Sequence, residues 1–425
     1  MHIKKLLVIL TVVSLAMILT LIPVLTACPA PEEEAPPEAP PEAPPEAPPP
    51  PVVEKLQIGV LHSLTGWFSG WDVTSLHEVE IAADMLNERG GITVNGQKYE
   101  IELVVEDGKS SIDGVAAAAT TLVYDKKVKF IVGPAAFFAR AVGPVATENK
   151  VVDVLGYHTY QPDEIGPGQP YTFASRGGAL GNFWGMVTIL QERFPEAKNL
   201  CMVSPVGGIH DRLEDYMREQ LGNLGYNIVG EWVVFADDAV DWSPYAQKIK
   251  ANKEADIIFW LHGITFHGGN MLKSLREIGD NRWIIFGSNS GPGIIEIAGK
   301  EASTNFITQC PVLNAPGNSP DLDEMMRRVE AQYGTGLETI LESSQALYVL
   351  AQVIEQAQSI DPTVVKEKWE SMDGQTVADL YDGSAVLSGT ESFGIKGHVA
   401  AEARPGMLIQ DGEVSSIGWF SYTLP

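Results

Sequence analysis

The chain has 425 residues, 45 % of them hydrophobic, with 55 acidic against 29 basic residues and a net charge of −26. Such a surface excludes nucleic acid as a partner, because phosphate binding needs a basic one. The length exceeds what a single core fills and predicts about two domains.

Residues 1–27 read as an export signal. Lys4 and Lys5 precede an apolar run from Leu6 to Thr26, which has the order of a secretory signal and is also long enough for an uncleaved helical anchor. Leu25-Thr26-Ala27-Cys28 resembles a bacterial lipobox, in which the cysteine becomes a lipid-bearing N-terminus. That makes 1–27 the signal peptide of a lipoprotein and Cys28 the lipidation site, with acyl chains holding a soluble protein at the membrane. Residues 28–54 form a Pro/Glu-rich tether. Pro29–Pro51 repeats Ala, Pro and Glu with almost nothing to bury, a composition that stays extended.

From Leu56 the pattern changes. Leu56–Val60 predicts a strand, and His62–Trp71 a loop with three large aromatics, Trp67, Phe68 and Trp71. Leu76, Val79, Ala83 and Leu86 then recur at helical spacing until Arg89-Gly90-Gly91 stops them. Tyr99–Glu106 predicts a strand, Ile112 to Leu122 a helix, Phe130–Val132 a strand, Ala141 to Val145 a helix and Val151–Leu155 a strand. A second set follows residue 175: a helix through Leu180 and Leu190, a strand at Leu200–Val203, a helix from Leu213 to Leu224 and a strand at Asn227–Val234. Tyr245 and Ile249 mark a short helix, Ile257–Leu261 a strand, Met271 to Ile278 a helix and Trp283–Phe286 a strand. Phe306–Gln309 predicts one more strand, with helices around Leu322, Leu347 and Val364 and a terminal hairpin turning at Asp411-Gly412. Strands alternating with helices predict an α/β fold of parallel sheets with right-handed crossovers. Ligands of such sheets bind beyond the carboxyl ends of the strands.

Three cysteines are present. Cys201 and Cys310 lie in or beside apolar runs and read as buried thiols; a disulfide between them is left open. His262 and His267 stand five apart with no carboxylate nearby, so no metal and no cofactor are expected. The first strand runs into His62-Ser63-Leu64-Thr65-Gly66-Trp67, which is not G-x-G-x-x-G, and Gly287-Ser288-Asn289-Ser290-Gly291 places Asn where G-x-S-x-G needs Ser. An enzyme is not expected.

The chain resembles the branched-chain amino-acid (Leu/Ile/Val) type of extracellular solute-binding protein of ABC importers, in the type I periplasmic binding protein family. The resemblance rests on IGVLHSLTG at Ile58–Gly66, LNERGGI at Leu86–Ile92, LVVEDGKS at Leu103–Ser110, VKFIVGP at Val128–Pro134, AVGPVATENKVV at Ala141–Val152 and DIIFWLHG at Asp256–Gly263. It implies two Rossmann-like lobes joined by a three-strand hinge. Lobe 1 would comprise 55–174 and 306–385, and lobe 2 would comprise 175–305 and 386–425, with crossings near Thr172–Arg176, Ala302–Phe306 and Gly383–His398. It also implies an extracytoplasmic, monomeric partner of ABC permease subunits that binds a small molecule, amino acid or similar. The alternative is a ligand-sensing module of a receptor.

In the family, hydroxyls and backbone amides of lobe 1 hold the ligand carboxylate. The matching positions are Ala136, Phe137 and Phe138 in one loop and Tyr157, His158 and Thr159 in another, with Ser63, Trp67, Phe68 and Trp71 on the first loop. Lobe 2 would contribute Gly208, Ile209, Trp260, His262, Asn289 and Ser290. The carboxylate that pairs with the ligand ammonium in this family is matched by neutral Asn289, and the acid at the end of the Leu200–Val203 strand is replaced by Ser204-Pro205. Aromatics fill the predicted cleft instead and suit an aromatic or bulky apolar ligand with a polar end. Any one of these aromatics reads as well as core packing. Asp72 pairs with a ligand cation or caps the following helix, and Arg140 meets an anion or faces solvent; the residues leave both open.

Overall fold

The computed structural model describes residues 53–134, 136–206, 209–334 and 340–424. The signal, Cys28 and the tether up to residue 52 lie outside the described residues, as do Gly208 and the side chains of Ala136, Phe137 and Ile209.

The first lobe opens with β1 (Glu54–His62), α1 (Ser69–Glu88), β2 (Ile92–Val94), β3 (Gln97–Asp107), α2 (Ile112–Thr120), β4 (Phe130–Val132), α3 (Gly143–Asn149), β5 (Val152–Leu155) and β6 (Thr172–Ala174). The second runs through α4 (Gly178–Arg193), β7 (Asn199–Pro205), α5 (Ile209–Asn223), β8 (Asn227–Ile228), β9 (Val233–Phe235), α6 (Ser243–Ala251), β10 (Ile257–Trp260), α7 (Thr265–Glu277), β11 (Trp283–Phe286), α8 (Gly293–Ala298) and β12 (Phe306–Thr308). The chain then supplies α9 (Pro320–Tyr333), α10 (Glu342–Ala357), α11 (Pro362–Glu370), β13 (Val386–Ser388) and β14 (Val399–Ala401), and ends in the hairpin β15 (Arg404–Gln410) and β16 (Glu413–Phe420).

Two eight-stranded sheets result, in the orders β13-β14-β6-β5-β4-β1-β3-β2 and β16-β15-β12-β11-β10-β7-β8, with β9 also on β7. Their centres are parallel; β2, β13, β15 and β16 add antiparallel edges, whereas β8 and β9 join β7 in parallel. Ile58, Val60 and Leu61 of β1 are all buried, because a central parallel strand is covered on both faces. On one face α1, α10 and α11 pack Val79, Leu347, Leu350 and Trp369 against Ile58 and Val60; on the other, Val115 and Leu122 meet Leu61 and Ile131. The second sheet is sandwiched alike, with Phe183, Leu213 and Met217 on one side and Ile249, Met271 and Leu275 on the other.

The domain boundaries differ from expectation in two places. β12 completes the second sheet by pairing with β11 and β15, so the second crossing follows Thr308. Residues 386–401 belong to the first sheet, where β14 pairs with β6, and the third crossing is at Glu402-Ala403. These strands are three residues long and carry no usable periodicity. The strand expected at Asn227–Val234 is split into β8 and β9 around Gly230. Cys201 and Cys310 are both buried, and no disulfide links them.

At the crossings, Arg176 Nε lies 3.1 Å and Arg404 Nη1 3.0 Å from Glu402 Oε1, while Gly177 N–H donates to Glu402 Oε2 at 3.1 Å. All three charged side chains are buried. Two crossing segments are thereby tied through one carboxylate.

Candidate ligand-binding cleft

The aromatic loop of lobe 1 is pinned by polar side chains. Asp107 at the end of β3 accepts Leu64 N–H at 2.9 Å and the Thr65 hydroxyl at 2.8 Å, and Ser110 Oγ donates to Thr65 O at 2.7 Å. Asp72, in α1, accepts Ser63 N–H at 2.6 Å and stands 3.2 Å from His62 Nδ1. It therefore fixes the strand end and does not cap α1, whose first residues follow Phe68 without a side-chain cap. The Ser63 hydroxyl is buried with no hydrogen-bond partner. Phe68 and Phe138 meet edge to face at 5.7 Å and are buried in the lobe 1 core, whereas Trp67 remains 45 % exposed. Arg140 is exposed.

At the end of β5, Tyr157 is buried and stacks on His262 of lobe 2 at 4.7 Å, a direct contact across the lobes. His158 is buried beside Tyr160, at 4.3 Å. Thr159 is committed to its own loop: its N–H and hydroxyl both donate to Glu164, at 2.6 and 2.7 Å. Gly156 lets α10 approach, since a Cβ there would lie 2.5 Å from Glu342 Cβ. Burial pushes the Glu342 carboxyl up to about 7; Arg176 opposes the rise, nearby Asp72 adds to it, and a hydrogen bond from Trp71 opposes it again. Burial likewise drives His158 and His262 down to about 3, so both rings are neutral.

In lobe 2 the expected residues divide. Trp260 is fully buried, packs between Phe235 and Phe286, and donates its indole N–H to His262 O at 2.8 Å; it is lobe core. Ser290 Oγ is 3.0 Å from Ser288 Oγ, which donates to Gly263 O. Asn289 donates to Ile340 O at 2.7 Å and Tyr381 Oη at 3.0 Å and accepts Arg176 Nη2 at 3.0 Å. Its amide thus joins lobe 2 to the hinge.

A cavity of about 420 Å³ opens between the lobes. Trp67, Gly70 and Trp71 wall it from lobe 1; Asp237, Asp238 and Val240 from the β9–α6 loop, Ile264 to His267 at the start of α7, and Ile297 of α8 wall it from lobe 2. His267 Nε2 bonds Asp237 O at 2.8 Å and its Nδ1 accepts Ile264 N–H at 3.3 Å, so both ring nitrogens are occupied.

The family model for periplasmic binding proteins matches residues 55–401. The chain belongs to the periplasmic binding protein family. The Leu/Ile/Val-binding protein BraC3 of Rhizobium johnstonii is 25 % identical over 310 residues, 72 % of this chain and 80 % of that protein. The branched-chain amino-acid transporter substrate-binding protein LivJ of Streptococcus pneumoniae, solved with isoleucine, superposes with a TM-score of 0.66 at 19 % identity, over 85 % of this chain and 99 % of its own. The leucine-binding protein LivK of Thermotoga maritima gives 0.66 at 21 %, over 86 % and 98 %. The expected branched-chain amino-acid type and its two-lobed α/β fold are therefore right, and these relatives are binding proteins of an extracytoplasmic family.

In this periplasmic binding protein, Trp67 and Trp71 are the expected site residues that line the cavity, and Tyr157 meets His262 elsewhere between the lobes. Asp237, Thr265, Phe266 and Ile297 were not anticipated. Ile264-Thr265-Phe266 follows the end of β10 after Leu261-His262-Gly263, in the region that the strand-end rule marks. Asp237 lies just past the end of β9, where the same rule applies.

Proposed function

We propose that this protein captures a small solute between its lobes and delivers it, as a monomer, to the permease of an ABC-type importer, while a lipid on Cys28 holds it on the extracytoplasmic side of the cell membrane, in the periplasm or at the outer face of the cytoplasmic membrane. The observation that carries this reading is the cavity of about 420 Å³ with walls from both lobes. An occupant touching both stabilises the closed arrangement relative to the open one and shifts the population toward it. The names of the relatives support an amino-acid-like ligand. The aromatic lining, and Asn289 where the family has a carboxylate, support one with an apolar or aromatic body. Trp67 and Trp71 contact that body.

The test is a thermal-shift screen of amino acids, aromatic acids, amines, amides and urea. A ligand that binds only the folded state raises the Tm with concentration. Trp71→Ala is expected to abolish that shift while keeping a cooperative melt. Stabilisation by leucine or valine alone would sink the aromatic-body reading, and undiminished shifts in Trp71→Ala would sink the site. Cys28→Ala is expected to move the protein from the membrane fraction to the soluble one.

A further inference from the structure

The walls of the cavity between the lobes are one-sided in charge. Among its lining residues are two acids, Asp237 and Asp238, and neither lysine nor arginine. Its histidine, His267, is no cation: burial pushes it down to about 4 and both nitrogens are spent on backbone groups. Unmet acceptors remain. Asp237 Oδ1 is buried without a hydrogen-bond partner, and so is Thr265 Oγ1. Burial, with Asp238 beside it, pushes the Asp237 carboxyl up to about 7, the behaviour of an acid that lacks a compensating cation. The remaining surface is apolar and aromatic, with Trp67 and Phe266 each nearly half exposed at the opening.

A buried carboxylate is costly unless paired. An anionic solute would add a second negative charge with nothing to receive it. A protonated amine supplies the missing donor, and the indole and phenyl faces attract cations as well as apolar bodies. From this we infer that the cavity selects a protonated amine carrying an apolar body, with Asp237 receiving the ammonium group between Trp67, Trp71 and Phe266. The inference rests on the solute-binding reading and narrows it. The family places its ammonium partner after the strand matching β11, where this chain has Asn289; here Asp237, after β9, takes that role from another loop.

The experiment is calorimetric titration of the full mature chain with phenethylamine and isopentylamine, each beside the carboxylate and the alcohol of the same body. The amines are expected to bind at least about tenfold more tightly than the carboxylates, as for a charge-assisted pair. Asp237→Asn is expected to remove that advantage and to leave the alcohols within about twofold, because only the charge is lost. Asp241→Asn, exposed and outside the cavity lining, is the control and is expected to change amine affinity by less than about threefold. Carboxylates binding as tightly as amines would overturn the proposal even if Asp237→Asn did not fold, because that comparison uses the unaltered protein. Amine affinity retained in a folded Asp237→Asn would overturn it equally. If neither amine binds while another solute stabilises the protein and loses its effect in Trp71→Ala, the amine proposal falls and the solute-binding reading stands. If no solute stabilises the protein, both fall.

Discussion

Trp260 and Trp67 show how differently two tryptophans near strand ends are used. Trp260 points into lobe 2 among Phe235 and Phe286, with its N–H bonded to its own turn, whereas Trp67 stands at the mouth of the cavity. Trp260→Ala is expected to cost about 3–5 kcal/mol in urea unfolding, from lost burial and the cavity left behind. Trp67→Ala is expected to change stability by no more than about 1 kcal/mol and to weaken ligand binding. Equal effects of the two on stability would contradict these assignments. Composition marks both residues as aromatics near a cleft. The face on which each lies depends on pleat and register, which separate Trp260 from Leu261 although they are neighbours in sequence.

Among the elements, the end of α1 and the β2–β3 hairpin are the most tightly specified. Gly91 has φ of +70°, its N–H bonds Leu86 O at 3.0 Å, and a Cβ would lie 2.1 Å from Tyr99 O. Gly91→Ala is therefore expected to cost more than about 1 kcal/mol, read as a lower urea midpoint with an unchanged slope. Asn95 and Gly96, with φ of +49° and +81°, turn β2 into β3. Asn-Gly is a strong hairpin signal, so the β2–β3 turn was legible in the sequence. Of the three-residue strands, β12 was legible as a strand at Phe306–Gln309 but not as part of the second sheet, and β13 and β14 were not legible. Their identity lies in the neighbours with which they pair, Phe306 with Ile409 and Val399 with Ala174, and those partners are far away in sequence.

For the whole molecule the decisive features are the hinge and the buried charges. Glu402 is shared by Arg176, Arg404 and the Gly177 N–H. Glu402→Gln leaves two buried guanidinium groups without their carboxylate and is expected to cost about 3–5 kcal/mol in urea unfolding. No loss of stability would mean that the triad does not hold the crossings. Buried carboxyls also set a pH response. Burial pushes Glu78 up to about 8, and Glu164 and Glu342 up to about 7, from an ordinary value of 4.5. Each holds its proton more tightly in the folded state, so its stabilisation is full below 4.5 and is lost as pH rises through the folded value. His158, His262 and His267, driven down by burial, act in the opposite direction, but only below their ordinary value of 6.5. Between about pH 6.5 and 8.5 the carboxyls act against no opposing histidine, and the Tm is expected to fall. A Tm that rises over that interval would contradict the burial of these acids in the folded protein.

The sequence by itself determined the class of this protein. Apolar spacing, helix stops and the segments at Ile58–Gly66, Leu86–Ile92 and Asp256–Gly263 are local, and they suffice for alternating strands and helices, two lobes and the family. Only the tertiary structure decided what the site is made of. Asn289 lost its amide to Arg176, Ile340 and Tyr381, and Thr159 spent its hydroxyl on Glu164. Asp237 came to face a cavity shared with Trp67 and Trp71 of the other lobe. The reason is physical: a hydrogen-bonding group is available to a ligand only if folding has not already paired it, and the pairing is set by strand register and lobe closure, which bring together residues far apart in the chain.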